Sequence, residues 1–129
     1  MTPEKKKKVA RLLGLPVSDD SKEEAVYNQV DNLLKQTEFK NGKYQGLNPI
    51  EVFNRFADMK ENLLHIKDLV KQAVAHSVYR VRPNGRVFEG EFEIAVDEDD
   101  LVKFLADEDN QDELLTLEGK LKSKKLASI

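Results

Sequence analysis

The chain has 129 residues, of which 40% are hydrophobic and 35% charged, with a formal net charge of -3 and no cysteine. A length of this order holds one domain, or one domain with a helical appendage. The composition excludes disulfide and thiolate chemistry, the near-neutral total gives no signal for nucleic acid or membrane, and the periodic apolar residues exclude a disordered chain.

The first helix starts at a clear signal. Thr2 is placed as N-cap, Pro3 at the first helical position and Glu4 near the positive end of the dipole. Its face is basic, with Lys5, Lys6, Lys7, Lys8 and Arg11, and Gly14 and Pro16 stop it after Leu13. The basic N-terminus lacks a following apolar segment and no apolar run approaches the ~18 residues of a membrane span. The sequence therefore reads as a soluble, intracellular protein without a secretory signal.

A second helix is predicted from Ser21-Lys22-Glu23-Glu24, a capping box, with the stripe Val26, Val30, Leu33 and Leu34. Asn41-Gly42 and Gly46 mark a loop, and Phe39 and Tyr44 are its expected anchors on the core. Asn48, Pro49 and Glu51 then open a third helix, predicted to run to about Ser77. That is about 28 residues and about 42 Å at the helical rise. Val52, Phe56, Met59, Leu63, Ile66, Val70 and Ala73 recur at alternating spacings of four and three, which sets them on one seam. So long a rod is hard to cover from so short a chain, so Val52, Phe56, Met59, Leu63, Ile66 and Val70 are predicted to form a partner interface.

A hairpin follows. With Asn84-Gly85 as a two-residue turn, Arg82 faces Val87, Val81 faces Phe88, Arg80 faces Glu89 and Tyr79 faces Gly90. Tyr79, Val81, Phe88, Phe92, Ile94 and Val96 then share one face, and Arg80 and Arg82 oppose Glu89, Glu91 and Glu93 on the other. Its free edge is open to strand addition. Asp97 to Asp100 cap a fourth helix, with Leu101, Val102, Phe104 and Leu105 expected inward. From Asp97 to Glu113 nine acids stand against the single Lys103, and the tail is basic again at Lys120, Lys122, Lys124 and Lys125. The segment carrying Leu114, Leu117 and Leu121 reads as helix or strand.

No nucleophile–base order, phosphate loop or ligand cluster stands out, so no cofactor and no metal is expected and the chain reads as a non-enzyme. His65 and His76 lie about 16 Å apart along a helix and cannot share one ion. Asp107 to Glu118 has the oxygen spacing of a calcium loop, but Asp112 stands where the sharp turn needs glycine.

Leu12-Leu13-Gly14-Leu15-Pro16 followed by Ser21-Lys22-Glu23-Glu24-Ala25-Val26 and Val30 resembles a short helical element of tailed-bacteriophage head and assembly proteins, over residues 9–34. Leu15-Pro16-Val17-Ser18 with Lys22 and Glu23 is also similar to the turn of SAP-type DNA-binding domains. The phage resemblance implies a virion or assembly component.

The resulting expectation is an α+β protein of four helices, with one long central amphipathic helix followed by a β-hairpin. Residues 1–46 form an N-terminal helical pair and 47–129 the long helix, hairpin and acidic C-terminal helix. Its role is expected to be structural, a minor or auxiliary virion component that meets copies of itself or a capsid, connector or tail neighbour, with no membrane partner. The alternatives are a small DNA-binding or regulatory protein using Lys5, Lys6, Lys7, Lys8 and Arg11, placed in the cytoplasm, and an acidic inhibitor of a host factor.

Overall fold

The computed structural model describes residues 1–127. The protein is α+β and mostly helical, with six helices where four were expected and a three-stranded antiparallel sheet in place of a lone hairpin. The chain divides into two compact units, Met1–Leu64 and His65–Ile129, so the division falls well after the predicted one at residue 46.

The first unit contains α1 (Pro3–Leu12), α2 (Glu23–Leu34), α3 (Pro49–Ala57) and the first turn of α4 (Glu61–Ala75). Helix α1 begins as expected, with Thr2 Oγ1 accepting from the Lys5 amide at 3.2 Å. It ends in a Schellman motif. The Leu15 amide reaches the Ala10 carbonyl and the Gly14 amide that of Arg11, with Gly14 at a φ of 94° that only glycine adopts freely. The capping box at α2 does not form. Ser21 Oγ instead accepts from the Ser18 amide at 2.9 Å, and Lys22 stands at the N-cap without a side-chain bond.

The long rod is broken. Helix α3 starts on Asn48, whose Oδ1 accepts from the Ile50 and Glu51 amides, but it ends at Ala57. Residues 58–60 are non-helical before α4 resumes. The break places Leu64, an off-seam residue, in the same core as Val52 and Phe56, with Val9, Leu12, Leu13, Leu33 and Phe39. A straight rod would have carried Leu64 away from that core, and the burial gained offsets the interrupted helical bonds. Phe39 and Tyr44 anchor the connecting loop as expected, with ring centroids 5.7 Å apart and Tyr44 edge-on to Phe56 at 6.0 Å.

The second unit contains the rest of α4, β1 (Arg80–Val81), β2 (Val87–Glu89), β3 (Phe92–Ala95), α5 (Glu98–Ala106), a 3-10 turn at Glu108–Asn110 and α6 (Gln111–Ala127). Helix α4 closes on a second Schellman motif. The Val78 amide bonds to the Ala73 carbonyl at 2.8 Å and the Ser77 amide to that of Val74 at 3.2 Å. Here the left-handed position is held by Ser77 at a φ of 62°, the one described non-glycine residue with positive φ. Ser77→Gly is therefore expected to stabilise the protein by about 1 kcal/mol, the cost of the left-handed region for a residue with a Cβ. An unchanged or lower midpoint in denaturant unfolding would contradict this.

The sheet order is β1-β2-β3, and its register is shifted one residue from the predicted one: Arg80 faces Phe88 and Val81 faces Val87. The reason is the turn. Gly85 N–H bonds to the Arg82 carbonyl and Arg82 N–H to that of Arg86, so the loop is Pro83-Asn84-Gly85 and only Gly85 has positive φ. A three-residue loop in place of two flips the faces. Val87 and Ala95 point into the core, and Phe88 lies outside it under the Arg82 guanidinium, 4.0 Å from the ring centroid. A second turn at Gly90-Glu91, with Gly90 at positive φ, splits the predicted second strand and folds β3 back on β2. The expected arginine–glutamate ladder does not form. The ion pairs are Arg86–Glu93 at 2.9 Å and Lys120–Glu89 at 2.6 Å.

Asp97 caps α5 through the Asp100 amide at 2.7 Å, and Leu101, Val102 and Leu105 are buried while Phe104 is exposed. The segment left open as helix or strand is helical in α6, with Leu117 and Leu121 buried. Tyr79 is also buried. Desolvation first, then the negative charges of Glu89 and Glu113, push its phenol up to about 12. The folded state thus favours the neutral phenol. That contribution is fully present below the unfolded value of 10.0 and is lost as pH climbs through about 12. Tyr79→Phe is expected to flatten the alkaline fall in stability between those values, and an unchanged fall would contradict the assignment.

Candidate interaction surface

Of the six seam residues assigned to a partner, Val52, Phe56, Ile66 and Val70 are buried in the folded chain. Met59 and Leu63 are half-buried. Val52 and Phe56 belong to the core of the first unit, with Met59 packed against it. The helix break and the refolded core account for the burial of Val52, Phe56, Ile66 and Val70, while Met59 and Leu63 keep part of their surface.

The lysine cluster is likewise engaged. Lys5 Nζ donates to the Ala57 carbonyl at 2.8 Å, which places a cation at the negative C-terminal end of α3. Lys7 Nζ donates to the Asp19 carbonyl at 2.9 Å, and the buried Arg11 pairs with the Asp19 carboxylate at 3.0 Å. The Lys6 ammonium lies 5.2 Å from the Tyr27 ring centroid, a cation–π distance. Lys8 is half-buried. This face holds the first unit together more than it advertises charge to a polyanion.

The second unit exposes what the first conceals. Strand β3 is an outer strand of its sheet, and beside it no further strand stands among the described residues. Phe92 is 80% exposed, Val96 53% and Ile94 37%, in a run of alternating apolar residues. Ile94 sits at an irregularity of the β2–β3 ladder, where Val87 faces Ala95 and Phe88 faces Glu93. One apolar side chain at the surface is ordinary, but three at alternate positions along the open edge of a sheet are not. Glu91 and Glu93 alternate with them, and Asp97 to Asp100 follow directly. On the opposite side of the sheet, β1 carries the exposed Arg80, with the exposed Arg82 just beyond it.

Other polar groups of this unit are tied within it. His65 Nε2 lies 3.6 Å from Glu118 Oε1, and the buried Asp68 accepts from Gln72 Nε2 at 2.8 Å. Asp107 to Glu118 is a 3-10 turn running into α6 and not a loop, with Asp107 Oδ1 capping through the Asp109 amide. An open groove runs between the Ser77–Val78 corner with Glu89 and the α6 face of Thr116, Gly119 and Lys120. Its hydroxyl from Thr116 donates back to the Asp112 carbonyl at 2.8 Å. Among the described residues no three potential ligand side chains converge on a point that would hold a metal ion.

Sequence reasoning identified the free edge but placed Phe88 and Phe92 together on a buried face. The signal that locates β3 is Gly90, which reads as a strand glycine or as the first residue of a tight turn. No family model, no curated protein and no solved structure matches the chain. No helix among the described residues is long and apolar enough to cross a membrane.

Proposed function

We propose that this chain is a non-enzymatic structural and interaction protein that docks through the outer strand of its second unit. The observation that carries the reading is the open outer edge of strand β3, with Phe92 and Ile94 exposed on it and Val96 exposed just after it. Backbone groups on such an edge offer pairing, and alternate apolar side chains offer contact area. Nucleic acid is the less favoured occupant, because Lys5, Lys6, Lys7 and Arg11 have partners within the first unit.

In its narrower form the proposal is an auxiliary component of a phage-type particle, located in the virion beside a capsid, connector or tail protein. That form rests on the resemblance of residues 9–34 alone. The experiment is sedimentation of the chain from its native source. The reading expects recovery in a fast-sedimenting particle at a fixed ratio to the other components, with loss from that fraction on Phe92→Ser. Recovery only as a free chain of 14.7 kDa would overturn it.

A further inference from the structure

Two asparagines of the chain are followed by glycine, Asn41 and Asn84. Such a pair can react within itself, because glycine has no Cβ to hold its backbone nitrogen away from the asparagine side chain. The two loops treat that reaction differently. We propose that Asn41 is a site of spontaneous, enzyme-free modification to aspartate and isoaspartate, and that the fold protects Asn84 from the same change. The site lies in the first unit and stands or falls apart from docking at β3.

The chemistry needs only water and hydroxide. Hydroxide removes the Gly42 amide proton, and the nitrogen attacks Cγ of Asn41. The N–Cγ bond closes a succinimide ring as the Cγ–Nδ2 bond breaks and ammonia leaves. Water then opens the ring. Cleavage at Cγ gives aspartate, and cleavage at the main-chain carbonyl carbon gives isoaspartate, with the chain rerouted through the side chain. Ammonia is lost, water is gained, nothing is oxidised or reduced, and one negative charge is added between Lys40 and Lys43.

The rate depends on whether the glycine nitrogen can lose its proton and reach Cγ. At Asn84 both are opposed. The Gly85 amide donates to the Arg82 carbonyl at 2.8 Å, and Asn84 Oδ1 accepts from the Arg86 amide at 3.1 Å. These bonds close the β1–β2 loop, and both must open before the ring can form. At Asn41 neither restraint exists. Among the described residues the Gly42 amide donates to no acceptor and the Asn41 side chain makes no hydrogen bond. Both residues are exposed. The bonds that hold this loop leave the Gly42 nitrogen out: Phe39 N–H to the Leu47 carbonyl, Gly46 N–H to that of Phe39 and Gln45 N–H to that of Gly42. The buried anchor Phe39 is thus fixed while the reacting pair stays in water.

The test is peptide mass mapping of the full chain after warm incubation at mildly alkaline pH, in buffer and in denaturant. A glutamate-specific protease separates the two sites, since Glu51 and Glu61 lie between them. In the folded chain, conversion at Asn41 is expected to run several-fold ahead of Asn84, to quicken as pH rises and to yield both products. In denaturant, where the bonds guarding Asn84 are gone, the two rates are expected to converge. Asn41→Gln is expected to remove the early mass change, because the longer side chain closes a less favoured ring. Equal rates in the folded chain, Asn84 converting first, or no conversion at Asn41 would each overturn the proposal. So would an undiminished lead of Asn41 in denaturant, or an early mass change that persists in Asn41→Gln.

Discussion

Leu64→Asp is expected to unfold the first unit, whereas Leu63→Asp one position earlier is expected to leave it folded. Leu64 is 1% exposed and packs in the cluster of Val9, Leu12, Leu13, Leu33, Phe39, Val52 and Phe56. An aspartate there either buries an unpaired charge or takes up a proton to avoid it, at a cost of about 3–5 kcal/mol or more. Against a total of about 5–15 kcal/mol for a domain, that removes most of the stability. Leu63 is half-buried on α4, so its replacement leaves water at the carboxylate and costs about 1 kcal/mol. A continuous rod with its seam inward gives the reverse order. Circular dichroism and denaturant midpoints of the two variants decide between the broken and the unbroken helix.

Val87→Asp and Phe88→Asp make the same comparison for the sheet. Val87 is 0% exposed on the central strand and faces Val81 and Ala95. Phe88 is half-buried outside the core, stacked under Arg82. Aspartate at 87 is expected to cost about 3–5 kcal/mol and disrupt the second unit, since it takes a carboxylate into a fully buried site between Val81 and Ala95. Aspartate at 88 loses ring contact but gains a neighbouring guanidinium, and is expected to cost about 1–2 kcal/mol. The two-residue turn reverses that ranking. Equal midpoints, or greater loss at 88, would show the register to be the predicted one.

Much of the local structure was legible in the sequence because it is decided within one turn of the chain. Thr2, Asn48 and Asp97 each cap the helix that their side-chain oxygen and following residues announce, and Gly14 ends α1 where a left-handed residue is needed. Phe39 and Tyr44 anchor a loop whose glycines left little else to hold it. The α+β class follows from the same signals.

The helix break was not legible. Asp58-Met59-Lys60 contains no glycine or proline, and the seam runs through it in step; the break goes with contacts distant in sequence, the burial of Leu64 and the Lys5 ammonium on the Ala57 carbonyl. The register hung on one residue. Asn-Gly reads as a two-residue turn until Pro83, suited to the second position of a type I turn, is counted into the loop. Gly90-Glu91 was hidden for a similar reason, since an alternating run on both sides of a glycine reads as one strand. The fate of Lys5 and Lys7 depends on carbonyls 52 and 12 residues away in sequence, which no local pattern encodes.

The surface available to a partner consequently moved from α3–α4 to β3, though both carry alternating apolar residues. Amide hydrogen exchange on the chain, free and within the particle it sediments with, separates the two directly. Protection is expected to rise on binding at Phe92 to Ala95, with Val52 to Val70 unchanged. Added protection confined to Val52 to Val70, with β3 exchanging as freely as before, would contradict docking at the sheet edge.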